Sequence, residues 1–390
     1  MVADLEARRE TIRRAIDAAS DELRVLNLDI HGHPEVRFEE EHAHAALTTF
    51  LDEHGFEVVR SAFGLPTAFR AVAGSGEPTV AIICEYDALP DIGHACGHNL
   101  IATAGIAVGL ALQEAIEPGE GTIVVMGSPA EEGGGGKIAM IDEGAFDGID
   151  LAMMLHPGNR TDTARSSSLA NRRLDIDFYG VNAHAAARPW QGVNALDAMV
   201  LAFSAIGLLR QQIQPTWRVH GIISNGGEAE NIIPGHTSAK MLVRTPLVSE
   251  RPELEQRVLA CFEGAAAQTG ARLEYRWDER PYSELQQSPP LAESYEGHFE
   301  AMAGEIDRTV AAAASTDMGN VSQVLPSLHP SFKIPSEFGN HNAGFTEAAG
   351  TQEAHELTLR AATALALTAL DAYVDPSLIE EAKREFAQRK

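Results

Sequence analysis

The stretch "TVAIICEYDALPDIGHACGHN", residues 79–99, decides how the chain is read. Its first half is a continuous apolar, β-branched run, the pattern of a strand buried on both faces. Its second half places Cys96 between His94 and His98 in a chain with only three cysteines. Soft and borderline ligands this close together point to a metal. Working outward, "LIATAGIAVGLALQEAIEPG" (100–119) reads as a helix closed by Pro118-Gly119, and "GTIVVMGSPAEE" (121–132) as the next buried strand. "KIAMIDEGAFDG" (137–148) reads as a helix and "LAMMLHP" (151–157) as a third strand. Upstream, residues 1–31 form an amphipathic helix, and a second helix ends near Gly55 before a short strand. Strands alternating with helices predict an α/β fold: a mostly parallel sheet covered by helices.

Around residue 171 the texture changes. "RRLDIDFYGV" (172–181) alternates apolar and polar residues, as a half-exposed strand does. Further strands are expected at 217–226, 238–246 and 271–279, with helices at 194–213 and 251–270. This is a smaller α+β domain, residues 171–280, inserted between the two halves of a catalytic domain, residues 1–170 and 281–390. The length of 390 residues already favours two domains.

The formal net charge of −26 argues against a nucleic-acid backbone or an anionic membrane surface as partner. Three scattered cysteines make no disulfide framework, so a cytoplasmic setting is expected. The N-terminal helix lacks the apolar core of a secretory signal, and no uninterrupted apolar run reaches bilayer length.

Polar residues fall where the strands end. Cys96 and His98 follow one buried strand, Glu131 and Glu132 the next, and His156 closes the third. In open α/β sheets the crevice beyond the strands' carboxyl ends binds ligands. A thiolate and imidazoles suit zinc, with manganese or cobalt as alternatives where a carboxylate joins. Adjacent carboxylates in a loop point apart, so one of Glu131 and Glu132 can bind metal while the other takes a proton from water. "GGGGKIAM" (133–140) is not a phosphate loop, because Ile138 follows Lys137 where Ser or Thr is required. Its glycines are read as letting the backbone pass close to the metal. His94 is read as a loop histidine facing solvent or the ligands, and His31 and His33 as surface loop. His42 and His44, two apart on a helix, do not share a face. Cys84 and Cys261 read as core. Spacing leaves His184 open between loop residue and substrate contact, and leaves His341 open too.

These residues resemble a family. "EYDALPDIGHACGHNLI", "SPAEEGGGGK", "STDMGN" and "FTEAAG" are similar to the M20 metallopeptidases and amidohydrolases. The match is to the hippurate- and aminoacylase-type branch, and within it the group of aminobenzoyl-glutamate hydrolases and peptidase M20 domain-containing protein 2. The resemblance implies two divalent ions held by Cys96, His98, Glu132, His156 and His341, with Glu131 as general base and Asp87 beside the metals. It implies that the inserted domain is a lid and dimerisation domain and the protein a homodimer. There His184 would hold the scissile carbonyl, and Asn231 and Arg244 would line the substrate side, Arg244 suiting a carboxylate. Asn99 stands where many members carry aspartate, which is expected to change the charge beside His98.

The function expected is metal-dependent hydrolysis of an amide in a small carboxylate-bearing molecule: an N-acyl amino acid, an aminobenzoyl-glutamate-like conjugate or a dipeptide. Two rivals are another hydrolytic C–N cleavage, such as deamination of an aromatic amine, and a non-catalytic metal-dependent binding protein. Free ammonia among the products marks the first, and failure to cleave any amide with metal bound marks the second.

Overall fold

In the computed structural model, which describes residues 2–310 and 314–389, the apolar run at 79–85 lies inside the main sheet. The chain opens with α1 (Val2–Gly32), α2 (Glu41–Glu53), β1 (Glu57–Arg60), β2 (Phe69–Ser75) and β3 (Thr79–Glu85). Next come α3 (His98–Ala115), β4 (Gly121–Ser128), α4 (Gly136–Asp142), β5 (Leu151–Met153) and β6 (His156–Gly158). A second set follows: β7 (Ala170–Tyr179), β8 (Ala183–His184), α5 (Ala195–Leu209), β9 (Arg218–Asn225), β10 (Ile232–Ile233), β11 (His236–Thr245), α6 (Arg251–Thr269) and β12 (Arg272–Trp277). The chain closes with α7 (Pro289–Ala303), α8 (Met318–Val321), β13 (Ser327–Leu328), β14 (Ser331–Lys333), α9 (Ala343–Ala349), α10 (Gln352–Val374) and α11 (Pro376–Arg389).

Two compact units result. One holds residues 2–167, 285–310 and 317–389; the other holds residues 168–284 with 314–316. In the first, the strand order is β1-β2-β4-β3-β5-β13. The pairs β3·β4, β3·β5 and β5·β13 are parallel, and β1 and β2 add an antiparallel edge. The period-2 pattern divides the apolar strands between two cores. Val80, Ile82 and Cys84 face α1, α3 and α10, whereas Ala81 and Ile83 join Val124, Met126, Met140 and Met318 on the opposite face.

The third strand departs from the sequence reading. The chain leaves the main sheet at Met153, and His156 instead starts β6, which pairs in parallel with β14. Pro157 lacks the N–H that a central ladder requires. No uninterrupted apolar run reaches bilayer length, but one helix, its apolar run interrupted, comes near it. α10 is long and apolar enough to cross a membrane by length and composition alone, yet its most apolar stretch is mostly buried inside the protein. Its Thr358, Thr363 and Thr368 hydroxyls donate to backbone carbonyls four residues back, so each polar group is satisfied inside the core.

The second unit is a four-stranded antiparallel sheet, β12-β7-β11-β9, with α5 and α6 on one face. Leu174, Ile176 and Phe178 of β7 and Ala239, Met241 and Val243 of β11 fill its core with alternate residues. Asn194 caps α5, its side-chain oxygen accepting from the amides of Leu196 and Asp197.

Helix α3 carries His98 at its first turn and is held tightly against the sheet by small residues. A Cβ on Gly105 would lie 2.4 Å from the Cys84 sulfur, and one on Gly109 would lie 2.6 Å from Val125. Gly105→Ala is therefore expected to lower stability by about 1–3 kcal/mol through overpacking, despite alanine's better helix propensity. Cys84→Ala in the same chain should recover part of that loss. Equal unfolding midpoints for the wild type and Gly105→Ala would contradict the packing argument.

Candidate active site

The edge of the first unit beyond β3 and β4 gathers the polar residues that these strands deliver. Gly97, at φ 76°, sits where any Cβ would come within 2.5 Å of the Pro157 ring. Only glycine meets both demands, and it lets Cys96 turn into α3 so that His98 follows at the helix start. Asp87, two residues past β3, joins three segments. Its Oδ1 lies 2.9 Å from His98 Nδ1, and its Oδ2 accepts from the Glu132 amide at 2.9 Å. The first contact places the imidazole proton on Nδ1 and turns Nε2 inward.

Three overlapping groups form. Cys96, His98 and His156 have donor atoms within 4.8 Å of one another; so do Cys96, Glu132 and His341, and so do His98, Glu131 and Glu132. Cys96 Sγ is 3.6 Å from His156 Nε2, and His341 Nε2 is 3.2 Å from Glu132 Oε1. His98 Nε2 is 3.3 Å from Glu85 Oε1 and 3.9 Å from Glu132 Oε1. His98 Nε2 and the Oε1 atoms of Glu85 and Glu132 are nonetheless buried without a well-formed hydrogen bond. Buried polar atoms are seldom left so. A cation between them answers that deficit, and the sulfur, imidazole and carboxylate donors suit a borderline divalent ion.

Electrostatics follow from the crowding. Burial works against the Cys96 thiolate, but His156, His341 and His98 override it and bring the thiol down to about 6. Burial, then Glu85, Glu132 and Asp317, push the Glu131 carboxyl well above its usual range.

The backbone at the site is strained in two places. Ala130 (φ 60°) and His341 (φ 67°) adopt the left-handed conformation that side chains disfavour. Each is held by a hydrogen bond. The His341 amide donates to the Ala95 carbonyl at 2.8 Å, and the Ala130 amide donates to Glu40 Oε1 at 2.9 Å. Glu40 is buried, accepts also from the Phe38 amide and the Thr67 hydroxyl, and is pushed up to about 7, chiefly by burial. Arg37 donates to the Gly133 carbonyl at 3.3 Å, so residues 37–40 clasp the loop that carries Glu131 and Glu132.

The structure refines several of these expectations. Two of the glycines of 133–136, read as letting the backbone pass close to the metal, have a packing role as well. A Cβ on Gly136 would lie 1.8 Å from the Pro129 carbonyl and one on Gly134 2.5 Å from the Phe38 ring, so they fold the loop onto itself. His94 does not face solvent. It is buried, with Nε2 3.1 Å from the Ile30 carbonyl, and burial lowers it to about 3. Asn99, read as changing the charge beside His98, makes its hydrogen bonds elsewhere. One helical residue further round, its amide donates to Asn27 Oδ1 and the Ala349 carbonyl, pinning α3 to α1 and α9.

Other residues went unforeseen. Lys137 is fully buried, donating to Glu85 at 2.6 Å and to Asp317 at 2.7 Å. His329 stacks edge-on to His156 at 5.7 Å and has Nδ1 3.2 Å from the Met154 carbonyl. Asn340 donates to the Pro157 carbonyl at 3.2 Å. A lysine straight after a glycine run was the one available signal.

His184, Asn231 and Arg244 belong to the second unit and are described there alone. His184 is exposed on β8, where it pairs with Ile232 of β10. The amides of Ala186 and Ala187 donate to its Nδ1 at 3.2 and 3.3 Å, which leaves the proton on Nε2 as an outward donor. The Asn231 carbonyl accepts from the Ala185 amide at 3.0 Å, fixing Asn231 beside His184. Arg244 on β11 donates to the Ser315 hydroxyl at 2.9 Å and to His220 at 3.3 Å.

Comparison with known proteins agrees with this geometry. Residues 81–362 match peptidase family M20/M25/M40. The chain is 42% identical to Xaa-Arg dipeptidase of Mus musculus, over 98% of this chain and 93% of that one. It is 31% identical to a p-aminobenzoyl-glutamate hydrolase chain of Escherichia coli (strain K12), over 97% and 95%. Its fold matches the Bacillus subtilis YXEP protein, a dinuclear metal-binding peptidase from the M20 family, with TM-score 0.66 at 20% identity, covering 91% of this chain and 99% of that one. The matched span begins in the strand that leads to Cys96 and ends inside α10, and the likeness to two hydrolases runs nearly end to end. This protein therefore belongs to peptidase family M20/M25/M40 and is a hydrolase.

Proposed function

We propose that the protein hydrolyses an amide bond in a small carboxylate-bearing substrate, with two divalent ions held by Cys96, His98, Glu132, His156 and His341. The observation that carries this reading is the pair of donor groups sharing Cys96, drawn from four separate segments of one unit. A thiolate with imidazoles favours zinc; the carboxylate leaves manganese and cobalt as the rival metals. The dinuclear relative from Bacillus subtilis supports a count of two. When bound, the ions polarise the substrate carbonyl and acidify a water molecule.

The chain's own residues supply the rest. Glu131, buried and with its carboxyl held well above the usual carboxylate range, accepts the water proton and returns it to the leaving amine. Asp87 holds His98 in the tautomer that offers Nε2 as ligand. His184 presents an Nε2–H donor suited to a developing oxyanion. Asn231 lines the substrate beside it, and Arg244 offers a planar donor fork to the substrate carboxylate. The names of the relatives, an Xaa-Arg dipeptidase and a p-aminobenzoyl-glutamate hydrolase, support dipeptides and aminobenzoyl-type conjugates as the substrates to try first.

The second unit also suggests an assembly. β9 is an edge strand, its Ile222 and Ile223 are exposed, and Val200, Leu201 and Leu208 are exposed on α5. An unpaired apolar edge of this kind favours pairing with a second copy, so we read the protein as a homodimer through this unit. Its three free cysteines suit a reducing cytoplasm.

Glu131→Gln is expected to keep its metal and lose about 100- to 10,000-fold in kcat. Near-wild-type turnover by that variant would end the proposed role. Arg244→Ala should raise KM about ten- to a hundredfold for substrates with a free carboxylate, the worth of a hydrogen bond to a charged group. It should leave the corresponding carboxamides unaffected, and an equal effect on both would remove the carboxylate contact. Replacing Leu208 and Ile222 together by Glu should halve the solution mass seen by light scattering, with the circular dichroism spectrum retained. An unchanged mass would place the dimer elsewhere.

A further inference from the structure

A second group of potential ligands lies outside the cysteine-centred site and shares no residue with it. Asp29, His33 and His42 also offer donor atoms within 4.8 Å of one another. Asp29 is in the last turns of α1, His33 lies just past its end, and His42 is the second residue of α2. Asp29 and His33 are four apart and share one face. His42 is fixed by a different device: both Glu35 oxygens accept from the α2 start, from the His42 amide at 2.8 Å and from Ala43 at 3.0 Å. His33, read from the sequence as surface loop, and His42, read as sharing no face with His44, thus converge on one carboxylate.

The geometry is that of a ligand set. His42 Nε2 is 2.8 Å from Asp29 Oδ2, and His33 Nδ1 is 3.3 Å from Asp29 Oδ1. The two imidazole rings are tilted at 33° to each other, with centroids 4.1 Å apart. Ligands around a tetrahedral zinc lie about 3.3 Å from one another, given bonds of about 2.0–2.1 Å. The observed separations need only small side-chain shifts to reach that spacing. His33 Nδ1 also lies 2.8 Å from the Asp29 carbonyl, a contact it would exchange for the cation. The side chains of His33, His42 and Asp29 are 57%, 40% and 38% exposed, so an ion has access. Two imidazoles and one carboxylate leave coordination positions for water, and a net charge of −26 raises the local cation concentration.

We propose that Asp29, His33 and His42 form a peripheral binding site for one zinc-class divalent cation. The ion ties the end of α1 to the start of α2 and so closes the ends of the 33–41 segment. That segment carries Arg37 and Glu40, which hold the Glu131 loop from behind. Binding at this site is thereby a means of stiffening the clasp without touching substrate.

The test counts metal in the full-length protein. Wild type, His42→Ala and the double variant His33→Gln with His42→Gln are equilibrated with micromolar zinc, desalted, and assayed for zinc per chain. Wild type should hold one equivalent more than either variant, whatever number the cysteine-centred site retains. Copper(II) added to the zinc-loaded wild type should give an electron paramagnetic resonance signal with nitrogen hyperfine structure, absent from both variants. Equal zinc content in all three proteins, or the same copper signal in wild type and variants, overturns the proposal.

Discussion

Charge balance in the pocket beyond β3 and β4 constrains everything built around it. Glu85, Asp87, Glu131 and Asp317 are buried there, with Glu132 close by, and Lys137 is the single buried lysine among the described residues. Removing a carboxylate from water costs several kcal/mol unless a partner with good geometry answers it. Lys137 answers two, Glu85 and Asp317, and the Lys137 amide donates to Asp317 as well. The excess of negative charge that remains is offset by imidazoles when protonated, or by cations drawn to the same donors. Acidity and metal affinity are thus two expressions of one electrostatic arrangement.

Much of this was legible because the sheet converts sequence order into position. A buried run followed by potential metal donors, repeated at Cys96 and His98 and then at Glu131 and Glu132, delivers side chains to one edge. The parts that were not legible share a physical cause. Lys137 and Asp317 are 180 positions apart, and Glu40 reaches Ala130 across 90. Such pairs follow from the way helices and loops pack around the sheet, which local periodicity does not encode. Asn99 carries a packing role that its motif did not reveal. Its position in the motif implied electrostatics, and helical rotation turns it into the α1 interface.

The second unit shows how little motif matching says about proton placement. Spacing leaves His184 open between loop residue and substrate contact; what the structure adds is that its Nδ1 accepts from two amides of the turn that follows it. That turn exists because β8 pairs with β10, bringing residues 183–184 beside 232–233. A two-residue ladder therefore decides which nitrogen of an exposed imidazole is the donor.

Strain at Ala130 and His341 completes the picture. Each costs of order 1–3 kcal/mol, and neither is glycine: Ala130 precedes the proposed base, and His341 is itself a proposed ligand. A glycine would relieve the strain but would also widen the range of backbone angles open to the loop. At Ala130 the structure instead holds a left-handed residue in place with the buried Glu40 acceptor, while Gly134 and Gly136 let the loop pack against Phe38 and Pro129. The direction in which Glu131 and Glu132 diverge is then set from behind, by a carboxylate that meets neither of them in sequence. The placement of Glu131, the base we propose, thus rests on residues 37–40, although none of the four is among the proposed ligands.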